Sequence, residues 1–370
     1  MNVVYVAHFR ESGGWSKAAI DYSLCLDRAG VNLKCVDIKL TNKTANVPAR
    51  ITELEQNNLD NFDIVIQHVL PHHFVRHEGK KNVLYLAFET GSVKNSGWND
   101  NLKLADEIWV PNNELKEALI ADGFKQVKFI PHTFDLKTYE NDYAIINIPP
   151  LNSSFKFYTI LDLNDRKNLD SIIRCFHSEF NQGENVSLII KASKYGVDSQ
   201  NLHRILSEKE KEIRTRLRIH KDINIYSPVV FITERFPEQA ILSMHRTCHC
   251  FVNLSHGEGW SIPAFEAMCF GNTPICSNQG GPKEFIDPED TNTGSLIDGI
   301  YNVCYHSDPA FPKLFTGKEL WFVPSEQEAK ERMRLYYENR NETDKNAGLK
   351  QAEKFNYENV GKLIISNLQE

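Results

Sequence analysis

Ser255-His256-Gly257-Glu258-Gly259-Trp260-Ser261-Ile262-Pro263-Ala264-Phe265-Glu266-Ala267-Met268-Cys269-Phe270-Gly271-Asn272-Thr273-Pro274 is the stretch on which the reading of this chain turns. It follows an apolar strand, Cys250 to Leu254, and sets the carboxylate of Glu258 between two glycines in what should be a tight loop. Pro263 suits the first turn of a helix, where a missing N–H costs nothing. Ser261 is expected as the N-cap of that helix and Gly271 at its end. A short strand, Thr273 to Ser277, then leads to a second glycine loop, Gln279-Gly280-Gly281-Pro282, and another helix start. This order of strand, loop, helix, strand and loop makes a crevice at the carboxyl ends of parallel strands, where α/β sheets bind ligands. Glu258 and Glu266 are expected at its rim. Backbone N–H groups of Trp260, Ser261 and Ile262 precede any intrahelical acceptor and can hold an anion. Carboxylates beside them accept hydrogen bonds from hydroxyl groups. Phosphate together with hydroxyls is the chemistry of a sugar nucleotide.

Glu258 and Glu266, with seven residues between them, lie in Glu-Gly-Trp-Ser-Ile-Pro-Ala-Phe-Glu-Ala-Met-Cys-Phe-Gly-Asn-Thr-Pro. This run resembles the Glu-x7-Glu motif of retaining GT-B glycosyltransferases of the family-4-like group (group 1). The resemblance implies an α/β fold of two Rossmann-like domains whose parallel sheets face an interdomain cleft. It also implies transfer of a sugar from a nucleotide diphosphate-sugar to an acceptor hydroxyl, with retention at the anomeric carbon.

A length of 370 residues exceeds what one core usually supports, so two domains are expected. The net charge of −7 gives no general nucleic-acid footprint, although a local one is not excluded. No apolar run reaches the roughly 18 to 20 residues of a membrane span, and Met1 to Tyr5 reads as a strand without a basic leader. A cytosolic enzyme is expected, with peripheral association with a membrane left open. Eight cysteines, scattered mostly through apolar runs, lack the density of a disulfide scaffold and are expected reduced and buried.

In the first half, Asn2 to Ala7 reads as a strand, followed by a loop with Gly13 and Gly14 and an amphipathic helix to about Arg28. Paired glycines let a ligand approach the backbone, and Ser16 is expected to cap the helix. In the resembled family this loop, here Gly13, Gly14 and Trp15, touches acceptor or donor phosphate. Val31 to Asp37, Asp63 to Gln67, Asn82 to Phe88, Glu107 to Val110 and Val127 to Ile130 supply further strands of a parallel sheet. His68, His72 and His73 are spaced too tightly for a metal site, and His68 at a strand end is placed to touch substrate. The fourth strand ends at Tyr85-Leu86-Ala87-Phe88-Glu89-Thr90-Gly91. Many members of the family present a histidine there. This chain departs from the pattern with Glu89, a carboxylate able to take the acceptor's proton or orient a sugar hydroxyl. Asp106 to Asn113 looks like the family's Asp-x-Ile-Trp-Val-Pro-Ser segment and needs only packing to explain it.

The second half restarts at Phe155 to Leu161, and a helix is expected to begin with Asn164-Asp165-Arg166-Lys167-Asn168. Two cations in that loop face the crevice of Glu258, and a diphosphate needs such charge. The segment looks like the family's donor-phosphate segment, but the usual Gly-Arg pair upstream is missing. Arg166 is the compensating residue, and Lys191 after Val186 to Ile190 is a further candidate cation. Asn224 to Ile232 reads as a strand, Pro237-Glu238 as a helix start, Ser325 to Glu328 as a capping box and Tyr357 to Leu368 as a final helix. His245, Cys248, His249 and Cys250 mimic a metal cluster, but strand alternation divides them between two faces.

The expected organisation is an acceptor-side domain over residues 1–145, a linker over 146–154 around Pro149-Pro150, and a nucleotide-sugar domain over 155–350. A terminal helix over 351–370 is free to pack back on the first domain. Glu258 and Glu89 are the candidate catalytic residues. Glu266, with Lys167, Arg166, Lys191, Trp260, Ser261 and Ile262, is placed on the donor, Glu266 at its ribose. No cofactor is expected beyond the nucleotide-sugar co-substrate, and no metal, since no Asp-x-Asp stands in a metal-binding context. The acceptor, whether glycan, lipid-linked sugar, small molecule or other polymer, carries no signature. Two rivals stay open: a sugar-nucleotide epimerase of the same fold, and a non-catalytic nucleotide-sugar binder.

Overall fold

A computed structural model describes residues 1–370 apart from 12, 42–44, 149–150, 221, 223, 305–313, 343 and 370. Pro149 and Pro150 of the expected linker, and Ser12 of the first glycine loop, therefore lie outside the described residues.

Short runs rich in β-branched and apolar residues, mostly buried along their length, build the first sheet from Asn2–Ala7 (β1), Asn32–Asp37 (β2), Ile64–His68 (β3), Lys81–Tyr85 (β4), Glu107–Val110 (β5) and Val127–Phe129 (β6). Its order is β2-β1-β3-β4-β5-β6, and every neighbouring pair is parallel. The helices of this part of the chain are Gly14–Arg28 (α1), Ala49–Gln56 (α2), Asn99–Leu102 (α3) and Asn113–Ala121 (α4). Asn112 caps α4 by accepting the N–H of Leu115 at 2.9 Å. Ser16 does not cap α1. The helix starts two residues earlier, with Gly13 at the cap position in a positive-φ conformation and no side-chain cap.

The short helix Lys137–Glu140 (α5) precedes the second sheet, which contains Phe155–Asp162 (β7), Val186–Ser193 (β8), Val229–Ile232 (β9), Cys250–Asn253 (β10), Ile275–Ser277 (β11) and Ser295–Ile297 (β12). Its order is β12-β11-β10-β7-β8-β9, again parallel. Its helices are Leu169–Glu179 (α6), Ser199–Leu217 (α7), Glu238–Thr247 (α8), Ile262–Cys269 (α9) and Pro282–Phe285 (α10). Gly299–Val303 (β13) and Leu320–Pro324 (β14) form a two-stranded sheet, and Glu326–Glu338 (α11), Ala347–Ala352 (α12) and Tyr357–Gln369 (α13) close the chain.

The chain divides into two compact units. One holds Met1–Leu136, Val303–Leu320 and Glu353–Glu370; the other holds Lys137–Asn302 and Trp321–Ala352. In the first, α13 lies on α1: Tyr357 donates to Asp21 at 2.7 Å and Cys25 to the Tyr357 carbonyl at 3.2 Å. In the second, α6 turns Leu169, Ile172, Ile173 and Phe176 onto Phe157, Leu188 and Ile190 of the sheet. Burying each such side chain contributes roughly 1.5–3 kcal/mol.

Three local expectations are corrected. Residues 165–167 form a 3₁₀ turn, and α6 starts only at Leu169, because Asn168 takes a left-handed conformation with φ 49°. Residues 224–228 are not strand: Asp222 turns the chain by accepting the Asn224 N–H at 2.8 Å, and the strand begins at Val229. The capping box of α11 is half made. Ser325 accepts the Glu328 N–H at 3.2 Å, but the Glu328 carboxylate accepts from Asp298 N–H instead of closing on Ser325.

Candidate functional site

Because β7 and β10 are neighbours in the second sheet, the loops that follow them emerge side by side. Backbone and side-chain bonds tie the two together. The Arg166 carbonyl accepts the His256 N–H at 2.8 Å, Arg166 Nη1 donates to the Gly257 carbonyl at 2.6 Å, and Asn168 Nδ2 donates to the Leu254 carbonyl at 2.9 Å. Lys167 is thereby carried to Glu258, and its Nζ donates to Oε1 at 2.7 Å, with Arg166 3.6 Å from Oε2. Glu258 is only 6% exposed. Burial works to raise its pKa, but attraction to Lys167 and Arg166, with hydrogen bonds from Lys167 and Asn253, outweighs it and lowers the pKa from 4.5 to about 2. The carboxylate is therefore ionised throughout the physiological range.

The Glu258 peptide is gripped by the second glycine loop. Gln279 Oε1 accepts its N–H at 3.0 Å, and its carbonyl accepts the Gly281 N–H at 3.2 Å. A Cβ on Gly280 would lie 2.1 Å from the Glu258 carbonyl oxygen, and one on Gly281 2.2 Å from Trp260 Cα. These glycines serve backbone-to-backbone packing.

Helix α9 begins with Pro263 at its second position, as a first-turn proline should. Ser261 occupies the N-cap position, but its hydroxyl caps nothing. The residue is left-handed with φ 71°, and its Oγ accepts from Asn253 Nδ2 at 2.8 Å. Among the described residues, the N–H groups of Ser261 and Ile262 donate to no protein acceptor. Trp260 packs on Phe265 and Phe285, holding the helix start from behind. Glu266, 4% exposed, stands one turn along α9 with Oε2 3.4 Å from His245 Nε2. Asn272 Nδ2 donates to the Tyr158 hydroxyl at 2.9 Å, and that hydroxyl meets His245 Nδ1 at 2.7 Å. With its oxygen already accepting from Asn272, Tyr158 donates its proton to Nδ1. The Nε2–H of His245 then faces Glu266.

Lys191, near the carboxyl end of β8, is 6% exposed. Burial lowers its pKa, opposed by Glu234, and its Nζ lies 5.5 Å from the centre of the Phe236 ring. His249 and Cys248 pack structurally, His249 Nδ1 accepting the Lys156 N–H at 3.0 Å and Cys248 buried.

The remaining candidates lie at the carboxyl ends of the first sheet. Gly13 and Gly14 are exposed and Trp15 half-buried. Trp15 Nε1 donates to the His68 carbonyl at 3.3 Å, and the two rings stand 4.8 Å apart. His68 itself is 1% exposed, its Nδ1 3.0 Å from the Tyr5 hydroxyl and its ring 4.4 Å from Tyr85. Burial holds it well below the usual histidine pKa, so it is neutral. Glu89 is half-buried, four residues past β4.

Sequence reasoning missed Asn253, Gln279 and His245 as partners of the two glutamates. A polar residue ending the apolar strand Cys250-Phe251-Val252 was a visible signal for Asn253. Nothing local marked the others, because their partners come from other elements of the chain.

Residues 150–303, which include Arg166, Lys167, Lys191, Glu258 and Glu266, match the family described as glycosyl transferases group 1. No curated protein sequence matches the chain. Solved structures do. The HepE protein of Anabaena in complex with UDP-glucose is 14% identical over 100% of this chain and 99% of its own, with a TM-score of 0.63. Sucrose-phosphate synthase from Thermosynechococcus elongatus is 13% identical, covering 100% and 98%, with a TM-score of 0.65. The lipopolysaccharide outer core galactosyltransferase WaaB in its apo form is 13% identical, covering 100% and 99%, with a TM-score of 0.60. At these identities the likeness establishes the fold: the chain is a two-unit GT-B protein that carries the glycosyl transferase group 1 pattern across its second sheet.

Proposed function

We propose that this protein is a glycosyltransferase that moves a sugar from a nucleotide diphosphate-sugar to an acceptor hydroxyl, with retention and without a metal. The observation that carries this reading is the meeting of a buried, ionised Glu258 with Lys167 and Arg166 beside the α9 start. Glu258 accepts hydrogen bonds from hydroxyls of the transferred sugar, and Glu266, backed by His245, accepts them from the ribose. Lys167 and Arg166, with the N–H groups of Ser261 and Ile262, hold the diphosphate, and Lys191 of β8 is a further donor-binding cation. As the bond from the anomeric carbon to the diphosphate breaks, negative charge grows on the leaving oxygen where these groups stabilise it. In the first unit, Gly13, Gly14 and Trp15 form the acceptor loop, with His68 fixing Trp15 from behind. Glu89 takes the proton of the acceptor hydroxyl. The UDP-glucose bound by HepE favours a uridine donor as the first to test.

The test is incubation of the full chain with UDP-, GDP- and ADP-sugars and a panel of glycan, lipid-linked and small acceptors. Release of nucleotide diphosphate with a glycosylated product, unaffected by EDTA, is expected, and NMR of the product should show the donor's anomeric configuration. Epimerised donor without nucleotide release, or binding without turnover by any donor, would sink the reading. Glu258→Gln should lower kcat by on the order of a hundredfold, the scale of losing one group that stabilises the transition state.

No helix among the described residues is long and apolar enough to cross a membrane.

A further inference from the structure

Asn253 ends β10, a strand otherwise made of Cys250, Phe251 and Val252, and is 8% exposed. A buried amide at that point must satisfy its hydrogen-bonding groups, and an apolar residue would complete the strand without that demand. Its orientation is fixed from one side: Oδ1 accepts the Ser255 N–H at 3.1 Å, so the amino group points the other way. Both amino hydrogens are used there, one on Glu258 Oε1 at 3.0 Å and one on Ser261 Oγ at 2.8 Å. Ser261 is one of three non-glycine residues with positive φ among the described residues, a conformation that side chains with a Cβ avoid.

We propose that Asn253 is a positioning residue that couples the sugar-binding carboxylate to the phosphate-binding helix start. Its one amide sets the direction of Glu258 and holds Ser261 in the left-handed turn from which α9 sets out. The proposal rests on the reading of Glu258 and the α9 start as donor-binding groups. Lys167 and Arg166 also face Glu258, at 2.7 and 3.6 Å, but a diphosphate draws cations toward itself. The neutral amide carries no charge to be drawn away, so its hold on Glu258 persists when the donor arrives. Gln279 does the same for the backbone of Glu258, accepting its N–H. Direction of the carboxylate falls to Asn253.

Asn253→Asp is the discriminating variant. It keeps the shape and the acceptor for Ser255 N–H, but replaces two donated bonds with a carboxylate facing Glu258. Like charges that close raise the pKa of one acid, and protonating the introduced acid returns an O–H donor to the site. With UDP-glucose as probe and nucleotide release as readout, kcat should fall on the order of a hundredfold at pH 8, with a smaller change in KM. The deficit should narrow as the pH is lowered toward 5, relative to wild type at each pH. Asn253→Ala should lose kcat without that recovery. Wild-type kcat in both variants, or a deficit in Asn253→Asp that ignores pH, overturns the proposal.

A second measurement needs no donor. A crystal structure of Asn253→Ala should show Ser261 leaving positive φ and the Glu258 carboxylate reoriented. An unchanged loop overturns the proposal. If the wild type releases nucleotide from no nucleotide sugar, the donor reading falls, and the crystal structure alone decides whether Asn253 sets the loop. If Asn253→Asp does not fold, Asn253→Ala carries both measurements.

Discussion

At the scale of single residues, Glu258 has the most distinctive physical chemistry. Its pKa in the folded chain, about 2, lies below the ordinary value of 4.5, so folding favours its ionised form. The corresponding stability is fully present above pH 4.5 and is lost as the pH falls from 4.5 toward 2. A shift of that size is linked to at most about 3 kcal/mol. Glu258→Gln cannot titrate and lacks this component. Denaturant unfolding of wild type and variant should therefore show a stability gap that shrinks by up to that amount between pH 7 and pH 2, and parallel curves would refute the assignment. The cation loop and Glu258 were legible as separate chemical signals, Asp165-Arg166-Lys167 before one helix and a glycine-flanked acid before another. Their contact was not, because Lys167 and Glu258 lie 91 positions apart and only the neighbouring of β7 and β10 brings them together. The hydroxyl roles expected of Ser16 and Ser261 failed for a related reason. A serine near a helix start fits the cap pattern, but in this chain a glycine begins α1 and Asn253 takes the hydroxyl of Ser261.

Between elements, the contact to probe is that of the two glycine loops of the second unit. Gly280 has φ 67°, and a Cβ there would stand 2.1 Å from the Glu258 carbonyl oxygen, so Gly280→Ala meets both a strained backbone and an immovable neighbour. Gly30, after α1, has φ 82° but nothing within 4 Å, so Gly30→Ala meets the backbone penalty alone. The control should cost about 1–2 kcal/mol and leave donor binding intact. Gly280→Ala should cost roughly 3 kcal/mol or more and remove nucleotide-sugar binding, since the loop that carries Glu258 must shift. Thermal melting with ligand titration checks both, and equal effects from the two variants would mean that the loop contact carries no weight. A milder test falls on α11: Ser325→Ala should cost about 1 kcal/mol, the usual loss for a capping hydroxyl, read from the denaturation midpoint. The glycines, Pro263 and Ser325 were all visible as punctuation. What they punctuate was legible where the reason is local, as with the proline of α9. It was not where the reason is a second loop, as with Gly280 and Gly281.

For the whole molecule, chain order and compact unit do not coincide. Residues 353–370 belong with the first 136 residues, and α13 covers α1 through Tyr357, Val360, Gly361, Ile364 and Leu368, all buried. Gly361 marks how close the two helices come, since a Cβ there would stand 3.2 Å from the Ala29 Cβ. The final helix was readable from its periodicity, but its partner was not, because any amphipathic helix presents an apolar stripe without naming the surface it covers. Burying the four large side chains of α13 contributes on the order of 6 kcal/mol or more, while a domain is stable by only about 5–15 kcal/mol. A fragment of residues 1–136 linked to residues 303–320, the rest of this unit, should accordingly lack a cooperative thermal transition by circular dichroism. The same fragment fused through a flexible linker to residues 353–370 should regain one, and Tyr357→Phe in the fusion should lower its midpoint, because buried Asp21 then loses the hydroxyl that donates to it at 2.7 Å. If the short fragment melts cooperatively on its own, the first unit is complete without α13, and the closing helix serves something other than its core.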